Sequence, residues 1–160
     1  NVHFQFMNFS KLVTDCIHFM EPQANLKSIK IEFDVKVEII LDCDRNQMKQ
    51  VLINLLQNAI EATEDNGHFI SVSLDEAGGE SVMVTIRDKG CGIPESRLKR
   101  LFEPFYSTKE KGTGLGLLTC KRIIDLHQGS IDIESQPGEG TIIRILLPRN
   151  QNTSTLLIAE

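Results

Sequence analysis

The chain has 160 residues, of which 41% are hydrophobic and 24% charged, and its formal net charge is −5 at pH 7. These values predict one globular domain with a single core, and they exclude disordered, collagen-like and disulfide-scaffold classes. A negative charge without any run of basic residues argues against nucleic acid or an anionic membrane as a partner. An anionic ligand would therefore need local devices such as backbone amides, a metal ion or one or two lysines.

The four cysteines and four histidines are spaced too widely for a zinc site. Each cysteine lies in or beside an apolar segment, so all four are expected to be reduced core residues of a cytoplasmic protein. They are Cys16, Cys43, Cys91 and Cys120. No apolar run approaches the roughly 20 residues that cross a bilayer, and no secretory signal is recognisable, so no direct membrane contact is expected.

Helical patterns mark four segments, at 10–26, 44–64, 94–101 and 114–127. Ser10 and Asp44 are the predicted N-caps of the two long helices, because short polar side chains accept hydrogen bonds from the first N–H groups. Pro94 suits a first helical turn, and Gly67 and Gly129 suit the C-terminal stops. The first nine residues are expected to continue a connecting helix from a preceding domain.

Alternating apolar residues predict six strands, at 29–35, 37–41, 70–74, 82–86, 131–133 and 141–147. The first two are short and adjacent, with a hairpin as one arrangement, and the later strands are joined in pairs by glycine-containing turns. Hairpins favour an α+β fold over a doubly wound parallel sheet. We therefore predict a two-layer α/β sandwich, with a mixed and mostly antiparallel sheet covered by about three helices.

The second long helix carries a polar stripe beside its apolar face. Asn54, Asn58 and Glu61 are spaced i, i+4 and i+7, so they lie on one side of the helix. Asparagine is a poor helix former, so two of them one turn apart suggest a function. Amide oxygens are suitable ligands for Mg²⁺, with substrate phosphates supplying further oxygens. A solvated polar edge is the alternative interpretation.

A glycine-containing turn follows the predicted strand 82–86. In the sequence Asp88-Lys-Gly90-Cys-Gly92-Ile93-Pro, the glycines allow the backbone to lie against a flat ligand. A carboxylate at the strand end can accept a hydrogen bond from an exocyclic amine, which favours adenine. Guanine has a carbonyl there and would leave the carboxylate unpaired. A tight turn without any ligand is the alternative.

A second glycine-rich segment leads into the last predicted helix, where free N–H groups and the helix dipole favour an anion such as phosphate. Its residues are Lys111, Gly112, Thr113, Gly114, Leu115, Gly116 and Leu117. The spacing matches neither a P-loop nor a complete dinucleotide fingerprint. The preceding loop offers Lys109 to phosphates, with Phe102 and Phe105 as hydrophobic anchors that would dock it.

Five short motifs occur in order between Ser10 and Pro148. They are Asn54-Leu-Leu-Gln-Asn58-Ala, Asp88-x-Gly90-x-Gly92-Ile-Pro, Phe102-Glu-Pro-Phe105, Gly112-Thr-Gly114-Leu-Gly116-Leu and Gly138-Glu-Gly140-Thr141. Each is weak alone, but this series resembles the N box, first glycine box, F box, second glycine box and final glycine-threonine motif of sensor histidine kinases. The residues around the lid are also similar to those of Bacillus-type sporulation or phosphorelay kinases.

The resemblance implies a Bergerat-type ATP-binding fold with ATP and Mg²⁺ as cofactors. It implies that Asn58 binds Mg²⁺, that Asp88 accepts from the adenine amine with Thr141 assisting through water, and that 103–111 form an ATP lid. The residues expected to be catalytic are Asn54, Asn58 and Lys109. Those expected to bind the nucleotide are Asn54, Asn58, Asp88, Gly90, Gly92, Ile93, Phe105, Thr108, Lys109, Lys111, Gly112, Thr113, Gly114, Leu115, Gly116, Leu117 and Thr141.

Asn54 distinguishes the branches of this superfamily. In the gyrase, mismatch-repair and chaperone ATPases of the superfamily that this chain resembles, this position is usually a glutamate, which activates a water or hydroxyl. An amide is not a useful base, so transfer to an imidazole is favoured over hydrolysis. None of the four histidines, His3, His18, His68 and His127, has the phosphoacceptor context of the family. The accepting histidine is therefore expected on a separate hairpin domain.

We accordingly predict a histidine kinase catalytic domain over 10–148, preceded by the end of a linker at 1–9 and followed by a tail at 149–160. Its expected partners are the phosphoacceptor hairpin domain of the same protein and a downstream response regulator. This piece is expected to be monomeric and the full-length protein homodimeric. Two alternatives remain open, an ATP-hydrolysing clamp of the same fold and a nucleotide-binding interaction module without catalysis.

Overall fold

A computed structural model describes residues 1–35, 38–64, 68–103 and 116–151. The helices in these ranges are α1 (Phe9–Leu26), α2 (Arg45–Ala62), α3 (Glu95–Leu98) and α4 (Gly116–Leu126). The strands are β1 (Gln5–Asn8), β2 (Lys30–Val35), β3 (Ile40–Cys43), β4 (Phe69–Glu76), β5 (Ser81–Asp88), β6 (Ser130–Gln136) and β7 (Gly140–Pro148).

Five of these strands form one sheet in the order β2-β4-β5-β7-β6, in which only the β2–β4 pair is parallel. Every second residue of β4, β5 and β7 is buried, as expected for a sheet covered on one face. The covering helices are α1, α2 and α4, and α2 packs against both of the others. The predicted α+β two-layer sandwich with a mostly antiparallel sheet is confirmed.

The core lies between this sheet and the apolar stripes of the three long helices. Its largest fully buried side chains include Phe9, Met20, Met48, Leu52, Leu55, Leu56, Ile70, Ile86 and Ile124. Asp44 caps α2 as predicted, since its Oδ1 accepts from the Gln47 backbone N–H at 3.1 Å. The position of α2 across the core determines where its polar stripe lies.

The start of the chain differs from the sequence prediction. Residues 5–8 form strand β1, antiparallel to β3, and not the end of a helix. The N-cap of α1 is Asn8, whose Oδ1 accepts from the Lys11 N–H at 3.0 Å. Ser10 is not the cap because its hydroxyl accepts instead from the Ile39 N–H at 2.9 Å.

Two further local predictions are wrong. The strand near residue 40 does not form a hairpin with β2, because β3 pairs with β1 and β2 pairs with β4. At the end of α4 the left-handed residue is Gln128, with a φ of 59°, and not Gly129. Gly129 is required for another reason, since a Cβ there would lie 2.3 Å from the Leu146 carbonyl oxygen.

The third helix begins after Pro94 as predicted but ends at Leu98. Gly67 lies outside the described residues.

Three of the four cysteines are buried as expected, whereas Cys91 is exposed on the turn that follows β5. Burial raises the pKa of Cys16 to about 11 and those of Cys43 and Cys120 to about 12, so these three thiols stay protonated near neutral pH. Within the described ranges, no helix combines the length and apolar character needed to cross a lipid bilayer.

Candidate functional site

A polar row crosses three neighbouring strands at one end of the sheet. Asp88 of β5 is paired with Thr141 of β7, which in turn is paired with Ser135 of β6. All three continue the helix-covered face, because the preceding row on the same face is Ile86, Ile143 and Ile133. The sheet therefore changes from apolar to polar at this end.

Asp88 is an almost buried carboxylate, with 7% of its surface exposed. Its Oδ1 accepts from the Gly90 N–H at 2.8 Å, and the Thr141 backbone also donates to the carboxylate. Burial raises the pKa of Asp88, and these two hydrogen bonds oppose the rise. The group combines an acceptor oxygen with low solvation, which suits recognition of a donor on a flat ligand.

The turn after Asp88 is held tightly against two neighbouring segments. The Cys91 N–H donates to the Ala62 carbonyl at 3.0 Å, and the Gly138 N–H donates to the Cys91 carbonyl at 2.8 Å. Gly92 has a φ of +74°, and a Cβ there would lie 2.0 Å from the Gln136 carbonyl oxygen. A Cβ at Gly90 would lie 2.3 Å from the Ala62 carbonyl oxygen. The close packing explains both glycines of the predicted motif.

Ser135 is a member of this polar row that the sequence prediction did not include. Its Oγ accepts from the Ile93 N–H at 2.8 Å, donates to the Gly140 carbonyl at 2.9 Å, and lies 2.8 Å from the Thr141 hydroxyl oxygen. One side chain thus joins the glycine turn to the first residues of β7. The signal in the sequence is a serine that continues the inward positions of Ile131 and Ile133.

The predicted polar stripe lies on the C-terminal half of α2. Asn54 and Asn58 are half-buried, and the Asn58 Nδ2 donates to the Asn54 Oδ1 at 3.3 Å. Glu61 is exposed, and its Oε1 accepts from the Gln57 side-chain amide at 3.4 Å. The stripe and the glycine turn are neighbours, because Ala62, which holds the turn, follows Asn58 by one helical turn.

The first residue of α4 also meets this stripe. A Cβ at Gly116 would lie 3.0 Å from Nδ2 and 3.1 Å from Oδ1 of Asn54. The glycine therefore permits the N-terminus of α4 to approach the Asn54 amide closely. Leu117, the next residue, is partly buried against the core. Two of the predicted segments, the α2 stripe and the end of the second glycine box, are thus brought together.

The chemistry of the α2 stripe fits a magnesium ion. The hydrogen bond between the two asparagines uses an N–H of Asn58, which turns the Asn58 oxygen away from Asn54. Among the described residues no group of three or more His, Cys, Asp or Glu side chains is arranged to hold a metal. Mg²⁺ bound with a nucleotide does not need such a group, because one protein oxygen, phosphates and water complete its shell.

Several predicted nucleotide ligands belong to a segment outside the described residues. They are Phe105, Thr108, Lys109, Lys111, Gly112, Thr113, Gly114 and Leu115. The roles expected for them, including that of Lys109 in catalysis, stay predictions.

His127 is fully buried at the opposite end of α2 from the asparagines, where it contacts the N-cap residue Asp44. Its Nε2 accepts from the Asp44 N–H at 3.0 Å, so Nδ1 carries the proton and donates to the Ile123 carbonyl at 2.8 Å. Burial lowers the pKa of His127, which keeps the ring neutral. The other three histidines lie at exposed positions. His127 is thus a structural residue, with both ring nitrogens bonded.

The described elements form an α/β-sandwich domain in which a glycine turn packs on α2. The chain belongs to the histidine kinase-, DNA gyrase B- and HSP90-like ATPase family, whose model matches residues 43–151. Membership of this family implies that the domain binds ATP.

The curated relatives of the chain include sporulation kinases. Sporulation kinase E of Bacillus subtilis is 44% identical over 144 residues, which is 89% of this chain and 19% of that protein. Sporulation kinase A of the same organism is 45% identical over 147 residues, which is 91% of this chain and 24% of that protein. The chain therefore spans less than a quarter of the length of these two relatives.

Solved structures agree with this assignment. The nucleotide-free catalytic domain of histidine kinase ThkA is 34% identical, with a TM-score of 0.83 over 92% of this chain and 96% of that domain. ThkA in complex with the response regulator TrrA matches with a TM-score of 0.79 and 30% identity, over 93% of this chain and 42% of that one.

Proposed function

We propose that this domain binds Mg²⁺-ATP and transfers the γ-phosphoryl group to a histidine on a separate phosphoacceptor domain. The observation that carries the proposal is the pair of amides on α2, Asn54 and Asn58, at a site where a hydrolase would need a base. An amide cannot accept a proton from water as a carboxylate can. An imidazole is already a nucleophile, so positioning and charge neutralisation are sufficient for the transfer.

In this proposal each end of the site has its own task. Asp88 accepts a hydrogen bond from the adenine amine, and Gly90, Gly92 and Ile93 form the wall against the base. Asn58 would hold Mg²⁺, which when bound would neutralise phosphate charge, while Asn54 orients Asn58 through their 3.3 Å hydrogen bond. The close approach of Gly116 to Asn54 supports a role for the α4 N-terminus near the phosphates.

Binding is tested first, by titration calorimetry of the chain with ATP in the presence and absence of Mg²⁺. Asp88→Asn should weaken ATP binding about 10- to 100-fold, because a donor amide replaces a charged acceptor. Asn58→Ala should remove the dependence of binding on Mg²⁺. Asp75→Asn and Asn46→Ala are matched controls at exposed positions on β4 and α2. Unchanged titrations for both site variants would contradict the residue assignments.

Transfer is tested next, with γ-labelled ATP and a phosphoacceptor hairpin domain from a histidine kinase. Label should pass to the hairpin with acid-labile, base-stable chemistry and should not accumulate on this chain. Steady ATP turnover without the hairpin would instead indicate a hydrolysing clamp. Saturable binding with no transfer to the hairpin tethered to the N-terminus would indicate a nucleotide-binding module.

We propose further that the pathway is a phosphorelay of the sporulation type and ends on a response regulator. Support comes from the identity to the two Bacillus subtilis sporulation kinases and from the histidine kinase complex with a response regulator. The proposal includes a catalytic domain over 10–148, a connection at 1–9, which contains strand β1, to the acceptor hairpin, and a cytoplasmic location. It also includes a monomeric state for this piece and dimerisation of the full-length protein through the hairpin. Sedimentation of this piece and of the full-length protein would test both statements.

A further inference from the structure

Ser135 has a complete and unusual set of hydrogen bonds. A serine hydroxyl has one proton to donate and two lone pairs to accept with. One lone pair accepts from the Ile93 N–H, and the proton is donated to the Gly140 carbonyl, which has no proton of its own. The remaining lone pair faces the Thr141 hydroxyl at 2.8 Å.

This inventory determines the direction of the Ser135–Thr141 hydrogen bond. Because the Ser135 proton is taken by Gly140, Thr141 must be the donor to Ser135. The Thr141 oxygen then has only lone pairs left for other partners. Its neighbour in the row, Asp88, is also an acceptor. The buried end of the site therefore presents two acceptor oxygens side by side.

We infer that Ser135 is a positioning residue for base selectivity. By accepting the Thr141 proton, it leaves only hydrogen-bond acceptors at this end of the site, which favour ligand groups that donate. An exocyclic amine satisfies two acceptors, directly or through one water that donates to both and accepts from the amine. A carbonyl at the same position faces only lone pairs, and an unpaired buried acceptor is costly. The inference rests on the proposed contact between Asp88 and adenine.

The test measures how much the amine contributes to binding. Calorimetry gives dissociation constants for ATP and for purine riboside triphosphate, which lacks the 6-amino group. We expect the unaltered chain to prefer ATP about 10-fold or more. In Ser135→Ala that preference should fall about 3-fold, because the freed Thr141 proton can face the amine in some orientations while Asp88 still accepts from it. A purely structural role would weaken both nucleotides alike and leave their ratio unchanged.

Three further variants separate selectivity from folding. Ser135→Thr keeps the hydroxyl and should retain the preference for ATP. Thr141→Val removes one of the two acceptors but leaves Ser135 bonded to Ile93 and Gly140, so the preference should fall by a similar factor even if Ser135→Ala does not fold. Ser130→Ala, on the same strand at an exposed position, should leave both affinities unchanged.

The outcomes distinguish this inference from the proposed function. If Asp88→Asn abolishes the preference while Ser135→Ala and Thr141→Val retain it, the inference is wrong and the proposed site stands. If the unaltered chain does not bind ATP, or binds both nucleotides equally, the adenine contact itself is wrong and the inference falls with it. A reduced preference in Ser135→Ala and Thr141→Val, with full retention in Ser135→Thr, supports the inference.

Discussion

Replacing Gly92 by alanine should destabilise the protein far more than an ordinary turn substitution. The φ of +74° at Gly92 costs an L-residue about 1–2 kcal/mol. The new Cβ would also lie 2.0 Å from the Gln136 carbonyl oxygen, well inside the 3.4–4 Å of ordinary contact. Because that oxygen belongs to the backbone at the end of β6, it cannot rotate away, and such overpacking costs about 1–3 kcal/mol more.

The matched control is Gly78→Ala in the turn between β4 and β5. Gly78 has a similar φ of +71°, but nothing lies within 4 Å of a Cβ there. We therefore expect a loss of about 1–2 kcal/mol for Gly78→Ala and about 2–5 kcal/mol for Gly92→Ala. The difference isolates the contact with Gln136 from the backbone strain.

Urea unfolding followed by circular dichroism measures both variants. With a slope of about 2 kcal/mol per molar urea, the Gly92→Ala midpoint should lie about 0.5–1.5 M below that of Gly78→Ala. Equal midpoints at equal slopes would refute the reasoning, because they would mean that the glycine turn does not pack against β6 as described.

Three further predictions concern other parts of the molecule. The lowered pKa of His127 means that the unfolded chain binds a proton on this ring more tightly than the folded chain, so the unfolding free energy should fall as the pH drops below about 6.5. Urea unfolding at pH 7.5 and 5.5 should show a larger loss of stability in the unaltered chain than in His127→Gln. Equal losses would contradict a buried neutral ring. Gly116→Ala should leave the unfolding free energy unchanged or slightly higher, yet lower phosphoryl transfer by displacing Asn54, and unaltered transfer would argue against that contact. Asn8→Ala should lower the unfolding free energy by about 1 kcal/mol through loss of the α1 N-cap, measured by thermal unfolding. An unaltered midpoint would mean that Asn8 is not the residue that caps α1.

The sequence was sufficient for the fold class and for most of the strands, because alternation of apolar residues directly reports which face is buried. It was insufficient where a side chain has a choice of partners. Asn8 and Ser10 are equally good caps in isolation, and Ser10 is excluded only by its bond to Ile39, which is distant in the sequence. The pairing of β1 with β3 is likewise a non-local result that periodicity cannot reveal.

The same limit explains why Ser135 was not predicted as a candidate site residue, whereas Asp88 and Thr141 were. The last two lie within motifs whose residue types already suggest a ligand. The importance of Ser135 depends on the register of β6 against β7, which aligns its hydroxyl with Thr141 and with the Ile93 N–H. A serine at an inward strand position is a weak signal alone, since polar residues also occur at strand ends.

The exposed position of Cys91 on the glycine turn makes it suitable for attaching a probe that reports on nucleotide binding. Its backbone is tied to Ala62 and Gly138 through N–H and carbonyl bonds, so the exposed thiol is not what holds the turn. The other three cysteines are buried, with raised pKa values that suppress thiolate formation. An environment-sensitive fluorophore with a maleimide group should therefore attach at one position without any prior mutagenesis, and its emission should report nucleotide arrival in real time.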